Sequence, residues 1–353
     1  MIALERLAEL VAAFPRLTIG LVGDLFLDRY LHLEPGWHEL SIETGLEAYQ
    51  ITSVRNSPGA LGTVMNNLAA LGVGRLVPTT VVGDDGASYD LLKELNKLPV
   101  EVSHIVRDAE RLTPTYTKPL RRDEQGTWRE LNRLDLRNNR PLSPASEERL
   151  LAELEQVFRT TDGLIVLDQV NEEGWGVINP RVRERLKELA ARHPDKLMFI
   201  DSRRHIDRFT AGVLKPNRVE CLHAMGLPTP AEGAPIPRAI LDDAARGLAQ
   251  RTGRPLFCTM SEEGILVVRP DGEAMRVPSF PVSGPIDIVG AGDSATAGIV
   301  ASLLSGATPV EAAAVGNLVA SITIQQLGAT GTATPEQLLA RGAEATRLTA
   351  PAQ

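Results

Sequence analysis

Between residues 287 and 298 the chain reads Asp287-Ile-Val-Gly-Ala-Gly-Asp293-Ser-Ala-Thr-Ala-Gly298. Small residues at 290, 291 and 292 lead straight into an apolar helical pattern. Such a turn leaves backbone N–H groups unpaired at a helix N-terminus and backed by the positive end of the helix dipole, which makes an anion site. Asp293 at the same spot repels anions and is a poor phosphate ligand. It suits a base that takes a proton from a hydroxyl as that hydroxyl attacks a phosphoryl group. On this motif alone, a tight strand-to-helix turn with Asp293 as helix cap stays open.

Further acids stand at the ends of apolar runs. Leu17-Thr-Ile-Gly-Leu-Val-Gly23 is followed by Asp24, Gly163-Leu-Ile-Val-Leu ends in Asp168, and Lys196-Leu-Met-Phe-Ile ends in Asp201. Runs at 212–217 and 255–259 are similar, and helical patterns at 144–160, 179–193 and 238–252 lie between them. Runs apolar on both faces and separated by helices predict parallel strands covered on both sides. Ligands of such sheets bind at the carboxyl ends of strands, which makes those acids candidate site residues.

Two stretches, 29–57 and 113–135, break the rhythm with aromatics, turns and alternating residues, and predict antiparallel β-structure away from the main sheet. Residues 264–277 form a further hairpin around Asp271-Gly272, and helices follow at 292–304, 309–327 and 335–347. The parse is one α/β domain over 1–353 with a small β excursion.

Composition bounds the function. The 353 residues carry 37 Lys+Arg against 45 Asp+Glu, net −8, which argues against nucleic acid or an anionic membrane as partner. Two cysteines, Cys221 and Cys258, without CxxC spacing exclude a disulfide scaffold and a cysteine zinc site. Glu5, Arg6 and Glu9 break the apolar stripe at the N-terminus, and no 18-residue apolar run occurs, so the expectation is a cytoplasmic protein. GxGxxG and GxxxxGK[ST] are both absent, leaving no dinucleotide fingerprint and no P-loop. The six histidines (32, 38, 104, 193, 205, 223) show no metal-ligand spacing. Arg121-Arg122 and Arg203-Arg204 are either solvated pairs or contacts for a substrate phosphate.

Residues 287–293 resemble the second signature of the ribokinase-like (PfkB) carbohydrate kinases, written DTxGAGD. Other segments resemble that family in its order over about residues 15–340. These are Gly23-Asp-Leu-Phe-Leu-Asp28, the glycine-rich turn and helix Ser57-Pro-Gly-Ala-Leu-Gly-Thr-Val-Met-Asn-Asn67, and Val82-Gly-Asp-Asp-Gly86. Lys215-Pro-Asn217-Arg-Val-Glu220 is similar to its N-x-x-E element, Thr259-Met-Ser-Glu-Glu-Gly264 to its nucleotide loop, and 314–330 to its C-terminal helix and turn. Thr113-Pro-Thr115 with Asn132-Arg-Leu-Asp135 makes the pattern closest to that of bacterial D-glycero-D-manno-heptose-7-phosphate 1-kinases, in their kinase domain only.

The resemblance implies a three-layer ribokinase-like α/β fold with a mainly parallel central sheet and a β lid over the sugar, built near 29–57 and 113–135. It implies ATP and Mg²⁺ as cofactors, a small sugar or sugar phosphate as acceptor, and a homodimer through the lid. Asp293 would be the base, and the N–H groups of Gly290, Ala291 and Gly292 the anion hole. On the substrate side, Asp28 would hydrogen-bond sugar hydroxyls, Gly59 would let the sugar approach the backbone, Asn67 would orient nearby polar groups, and the strand-end Asp168 is a further candidate. Asn217 and Glu220 would organise water around Mg²⁺; taken alone they are an N-cap with a first-turn glutamate. Thr259, Ser261, Gly264 and Asn317 would contact the nucleotide, and Asp287 would help hold a monovalent cation such as K⁺ beside the anion hole.

Departures from the family cluster on the sugar side. Leu61 and Thr63 stand where small residues and an Asn are usual, Ile288 replaces a Thr, and Asp168-Gln-Val-Asn171 lacks a tyrosine and a lysine of the heptose-phosphate enzymes. The expectation is a working phosphotransfer centre with an altered acceptor. The alternative is a degenerate kinase that binds sugar or nucleotide as a sensor or scaffold.

Overall fold

The computed structural model describes residues 2–349 other than 35, 38, 124, 232, 233 and 329. His38 and Ala329 of the C-terminal turn thus lie outside the described residues. In chain order the strands of the first half are β1 Thr18–Gly23, β2 Leu25–Leu33, β3 Glu39–Leu40, β4 Glu47–Ala48, β5 Ile51–Ala60, β6 Arg75–Gly83, β7 Ile105–Asp108, β8 Thr115–Arg122, β9 Trp128–Glu130 and β10 Leu134–Leu136. Those of the second half are β11 Gly163–Asp168, β12 Leu197–Ser202, β13 Val213–Leu214, β14 Leu256–Thr259, β15 Ile265–Val268 and β16 Ala274–Val277. The helices are α1 Leu4–Ala13, α2 Leu61–Ala70, α3 Gly86–Leu95, α4 Pro144–Thr160, α5 Pro180–Arg192, α6 Arg218–Ala224, α7 Arg238–Thr252, α8 Ala291–Leu304, α9 Pro309–Thr323 and α10 Pro335–Thr349.

Nine strands form the main sheet in the order β16-β15-β14-β13-β12-β11-β1-β6-β7. All neighbours run parallel except the antiparallel β14–β15 and β15–β16 pairs, the hairpin expected at 264–277. Strand residues alternate between two cores. Ile19, Leu21, Ile165, Leu167, Phe199 and Phe257 join α1, α2, α8 and α9 on one face. Val22, Leu164, Val166, Met198 and Ile200 join α4, α5 and α7 on the other. This double burial is why the strands read as unbroken apolar runs. Helix boundaries follow local chemistry. Ser143 caps α4 ahead of Pro144, Thr308 and Glu311 close a capping box on α9, and α7 stops at Gly253 with φ +64°.

The excursions build a second, five-stranded sheet of order β10-β8-β2-β5, with β9 on β8. Here one expectation is corrected. β2 and β8 pair in parallel, from Leu27↔Thr115 to Leu33↔Arg121, although β2–β5, β8–β9 and β8–β10 are antiparallel. The cause is connectivity: β2 leaves the carboxyl end of β1 across Asp24 alone, and β8 follows the carboxyl end of the parallel β7. Both therefore run outward from one edge of the main sheet. Among the described residues no helix is long and apolar enough to cross a membrane.

Candidate active site

Asp293 stands in the first turn of α8, half-buried at the carboxyl edge of the main sheet. Gly290 before it has φ +79°, and the Ala291 N–H donates to Ile288 O at 3.1 Å. That is a turn requiring glycine at its third position. It corrects one expectation: the Ala291 N–H is spent inside the turn. The N–H groups of Gly290, Gly292 and Asp293 have no partner among the described residues. Burial and the nearby Asp201 push the Asp293 carboxyl up to about 7, against the pull of Lys215 and Arg203. A carboxylate poised there titrates in the range a general base needs.

Asp201, at the end of β12, lies 2.8 Å from Lys215 Nζ, and both side chains are buried. Burial pulls the Lys215 ammonium down, but Asp201 and then Glu220 more than offset it, so it stays charged. The family motif pointed to Asn217 and Glu220, two and five residues further on; Lys215 and its partner were not legible as a pair.

The sugar-side residues divide. Asp28 on β2 and Gly59 on β5 meet across the ladder, and Lys118 Nζ on β8 approaches Asp28 Oδ1 at 3.5 Å and Tyr30 Oη at 3.2 Å. Burial raises the Asp28 carboxyl and Lys118 pulls it back. Asn67 is fully buried in α2, its amide donating to Thr63 O at 2.9 Å while its Oδ1 has no partner among the described residues. Asp168 is only 2% exposed, accepts a bond from Ser202 Oγ at 2.8 Å, and is pushed to about 8 by burial and by Asp24. Neither Asn67 nor Asp168 reaches the cleft surface. Asp24 lies beside Asp168 and accepts the N–H groups of Gln169, Val170 and Val177, so it shapes the loop after β11. The Gly23-Asp24 pair at a strand end was the sequence signal for it.

Between this loop and the small sheet opens a cleft of about 190 Å³, lined by Phe26, Tyr116, Arg111, Arg133, Arg137 and Arg203 among others. The Arg133 guanidinium stacks 4.4 Å above the Tyr116 ring and holds Asp135 through two bonds of 2.6 and 2.8 Å. Arg203 pairs with no carboxylate among the described residues. Of the two arginine pairs weighed above, 203–204 therefore reaches the cleft through Arg203. Arg121 sits beside Glu47, and Arg122 stacks on Trp128, on the small sheet.

The residues expected to meet the nucleotide lie at the other end. Asn217 and Glu220 form a reciprocal capping box at α6, with bonds of 2.9 and 2.7 Å, and Asn217 bridges Thr259 in parallel. Ser261 takes φ +54° in the turn after Thr259. Gly264, at φ +91°, packs so closely that a Cβ would stand 2.1 Å from Val277 O. Asn317 donates to Val277 O and Pro278 O, both at 3.0 Å, bracing the wall of an apolar cavity of about 290 Å³ that includes Phe280, Ala314 and Leu318. Asp287 accepts from Val289 N and Gly328 N, tying the turn before α8 to the C-terminal turn.

The expected magnesium site falls at the Asn217–Glu220 end, where a side-chain amide and a carboxyl could offer oxygens. Burial and then Asp201 push the Glu220 carboxyl up to about 7, against the pull of Lys215 and the Asn217 N–H. No cluster of three or more metal-ligating side chains occurs among the described residues, so such an ion would keep waters and phosphate oxygens as ligands.

A family model of the pfkB carbohydrate kinases matches residues 41–337, and the chain belongs to that family. It is a sugar kinase with the ribokinase-like α/β fold. A bifunctional protein HldE of Trichlorobacter lovleyi is 29% identical over 324 residues, spanning 90% of this chain and 61% of that protein. The HldE of Rhodospirillum rubrum is also 29% identical, over 91% of this chain and 62% of its own length. The chain thus spans less than two thirds of these curated relatives. The ribokinase of Arabidopsis thaliana, solved with ribose and ATP, superposes with a TM-score of 0.64 at 14% identity, covering 92% of this chain and 98% of that one. Phosphofructokinase-2 of Escherichia coli, solved with potassium, gives 0.68 at 17% identity over 94% and 100%.

Proposed function

We propose that the protein transfers the γ-phosphoryl group of ATP, with Mg²⁺, to a hydroxyl of a sugar phosphate. The observation that carries the transfer is Asp293, a carboxyl near 7 beside three unpaired N–H groups at a helix N-terminus. Asp293 takes the acceptor's proton as the new O–P bond forms and the bond from the γ-phosphorus to the bridging oxygen of ADP breaks. Charge on the phosphoryl oxygens meets the N–H groups of Gly290, Gly292 and Asp293. Asp28 and Gly59 orient the sugar. Asn217 and Glu220 would hold Mg²⁺, which when bound would neutralise phosphate charge, and the apolar cavity beside Asn317 would take the adenine. Asp287 remains the proposed support for a K⁺ ion.

A phosphate already on the acceptor is favoured by the arginines of the 190 Å³ cleft, above all Arg203, which forms no close ion pair among the described residues while its charge is felt at Asp293 and Glu220. The small sheet acts as a lid. Its exposed Ile51, Val54, Leu134 and Leu136 suit pairing with a second copy, which light scattering reads directly as a dimer or a monomer.

The test is ATP consumption against matched sugars and sugar phosphates. Turnover with at least one phosphorylated sugar, with KM rising roughly 10-fold or more in Arg203→Ala, is the expected result. Preference for unphosphorylated sugars overturns the acceptor assignment. Nucleotide binding without turnover of any member favours the sensor reading.

A further inference from the structure

Lys215 follows β13 directly, and its backbone N–H donates to Ile200 O at 2.9 Å, locking the residue to the edge of β12. The side chain is 4% exposed and reaches past α6 toward the start of α8. A Cβ built on Gly292 would meet one atom from elsewhere in the chain, Lys215 Nζ at 3.8 Å. The ammonium therefore lies against the same first turn that carries the unpaired N–H groups. Asp201 Oδ2, at 2.8 Å, is its one close polar partner among the described residues. An ammonium has three donors, so two remain. Enclosing a charge with most of its hydrogen-bonding capacity unused is costly, and an anion arriving beside Gly292 would satisfy it.

We infer that Lys215 contacts the phosphoryl group in transit, and that Asp201 is the positioning residue that holds the ammonium beside Gly292. This rests on the kinase reading above, in which the γ-phosphate comes to the N-terminus of α8. Thr296 Oγ1, 3.5 Å from Asp201 Oδ2, steadies the carboxylate from the second turn of the same helix. Three elements thus converge on one point: the β13–α6 connection supplies a fixed cation, β12 its anchor, and α8 the amides. A lysine presents a point charge suited to the non-bridging oxygens of a phosphate. Asp293 sits close enough for Lys215 to draw down its proton affinity, so a single cation serves both the base and the transferred group.

Calorimetry with ADP and with a non-hydrolysable ATP analogue, both with Mg²⁺ and without acceptor, tests the contact. Lys215→Met should bind the ATP analogue roughly 10-fold or more weakly and ADP within about two-fold of wild type, since the charge lost faces only the third phosphate. Asp201→Asn should shift in the same direction by less. Equal weakening of both nucleotides, or of neither, overturns the proposal. A crystal of the wild-type chain with the ATP analogue keeps the question decidable if the variants fail to fold. Lys215 Nζ should then lie within hydrogen-bond distance of a γ-phosphate oxygen, and an ammonium still turned wholly to Asp201 overturns it. Neither measurement uses an acceptor, so a wild-type protein without turnover would refute the kinase reading while leaving the Lys215 contact to be judged separately.

Discussion

Asp28 Oδ2 lies 2.9 Å from the point where a Cβ on Gly59 would stand. Phe26 is the direct partner of Gly59 on the antiparallel β2–β5 ladder, so Asp28, two residues on, leans over the glycine from the same face. The carboxylate cannot simply swing aside, because Lys118 holds its other oxygen. Gly59→Ala should displace Asp28, raise the acceptor KM roughly 10-fold, equivalent to about 1.4 kcal/mol, and leave nucleotide affinity unchanged. Steady-state kinetics with each substrate varied in turn checks it; an unchanged acceptor KM would show that the Asp28 carboxylate does not meet the sugar.

Asp293 must be ionised to accept a proton. With its carboxyl at about 7, kcat should rise with pH to a half-maximum near 7 and level off above. Asp293→Asn should abolish that rise and lower kcat by roughly 10²–10⁴ with acceptor affinity kept. A variant turning over near the wild-type rate removes Asp293 from the chemistry.

Asp168 carries a stability consequence of defined sign. Its folded value, about 8, lies above the ordinary 3.8, because of burial and then the neighbouring Asp24. The folded chain retains a proton that the unfolded chain has released, so this contribution is complete below about pH 4 and is lost as pH rises toward 8. Asp168→Asn keeps an acceptor for Ser202 Oγ and removes the titration. It should gain on the order of 1–3 kcal/mol at pH 8 and little at pH 5. Urea unfolding at the two pH values decides, and equal effects at both count against a buried neutral carboxyl.

The proposed function gives Glu220 a second task beside its cap, and one substitution separates the two. Glu220→Gln keeps an oxygen to accept the Asn217 N–H, so the capping box and the unfolding midpoint should change by less than about 1 kcal/mol. The charge is lost, and the Mg²⁺ concentration for half-maximal activity should rise several-fold. A midpoint that falls while Mg²⁺ dependence stays fixed would reduce Glu220 to a cap.

Much of this architecture was legible because its cause is local. The strands of the main sheet are covered on both faces, so Gly163–Asp168 and Leu197–Ser202 announce themselves as unbroken apolar runs. The turn at Gly290 needs a positive φ, and the capping box at Asn217 needs its glutamate three residues on. What escaped depends on partners far along the chain. The parallel β2–β8 pairing follows from the direction in which two connections leave the main sheet. The pairs Lys118–Asp28 and Lys215–Asp201 join different strands or connections and leave no spacing signal. Asn67 entered through the resemblance alone, as a residue that orients nearby polar groups. Its burial in α2 and its bond to Thr63 O depend on how that helix packs, which no local spacing announces.

The packing of α2 against α8 brings together segments from opposite ends of the chain. During synthesis the largely apolar α2 emerges early, and the helix that covers it comes only after the rest of the main sheet has been made. Until then Leu61, Val64 and Leu68 lack part of their native cover, in a topology whose contacts close late. The same late closure completes the proposed base and anion hole. A nascent chain therefore passes through a long interval in which part of α2 is uncovered, and that exposure should end when α8 docks.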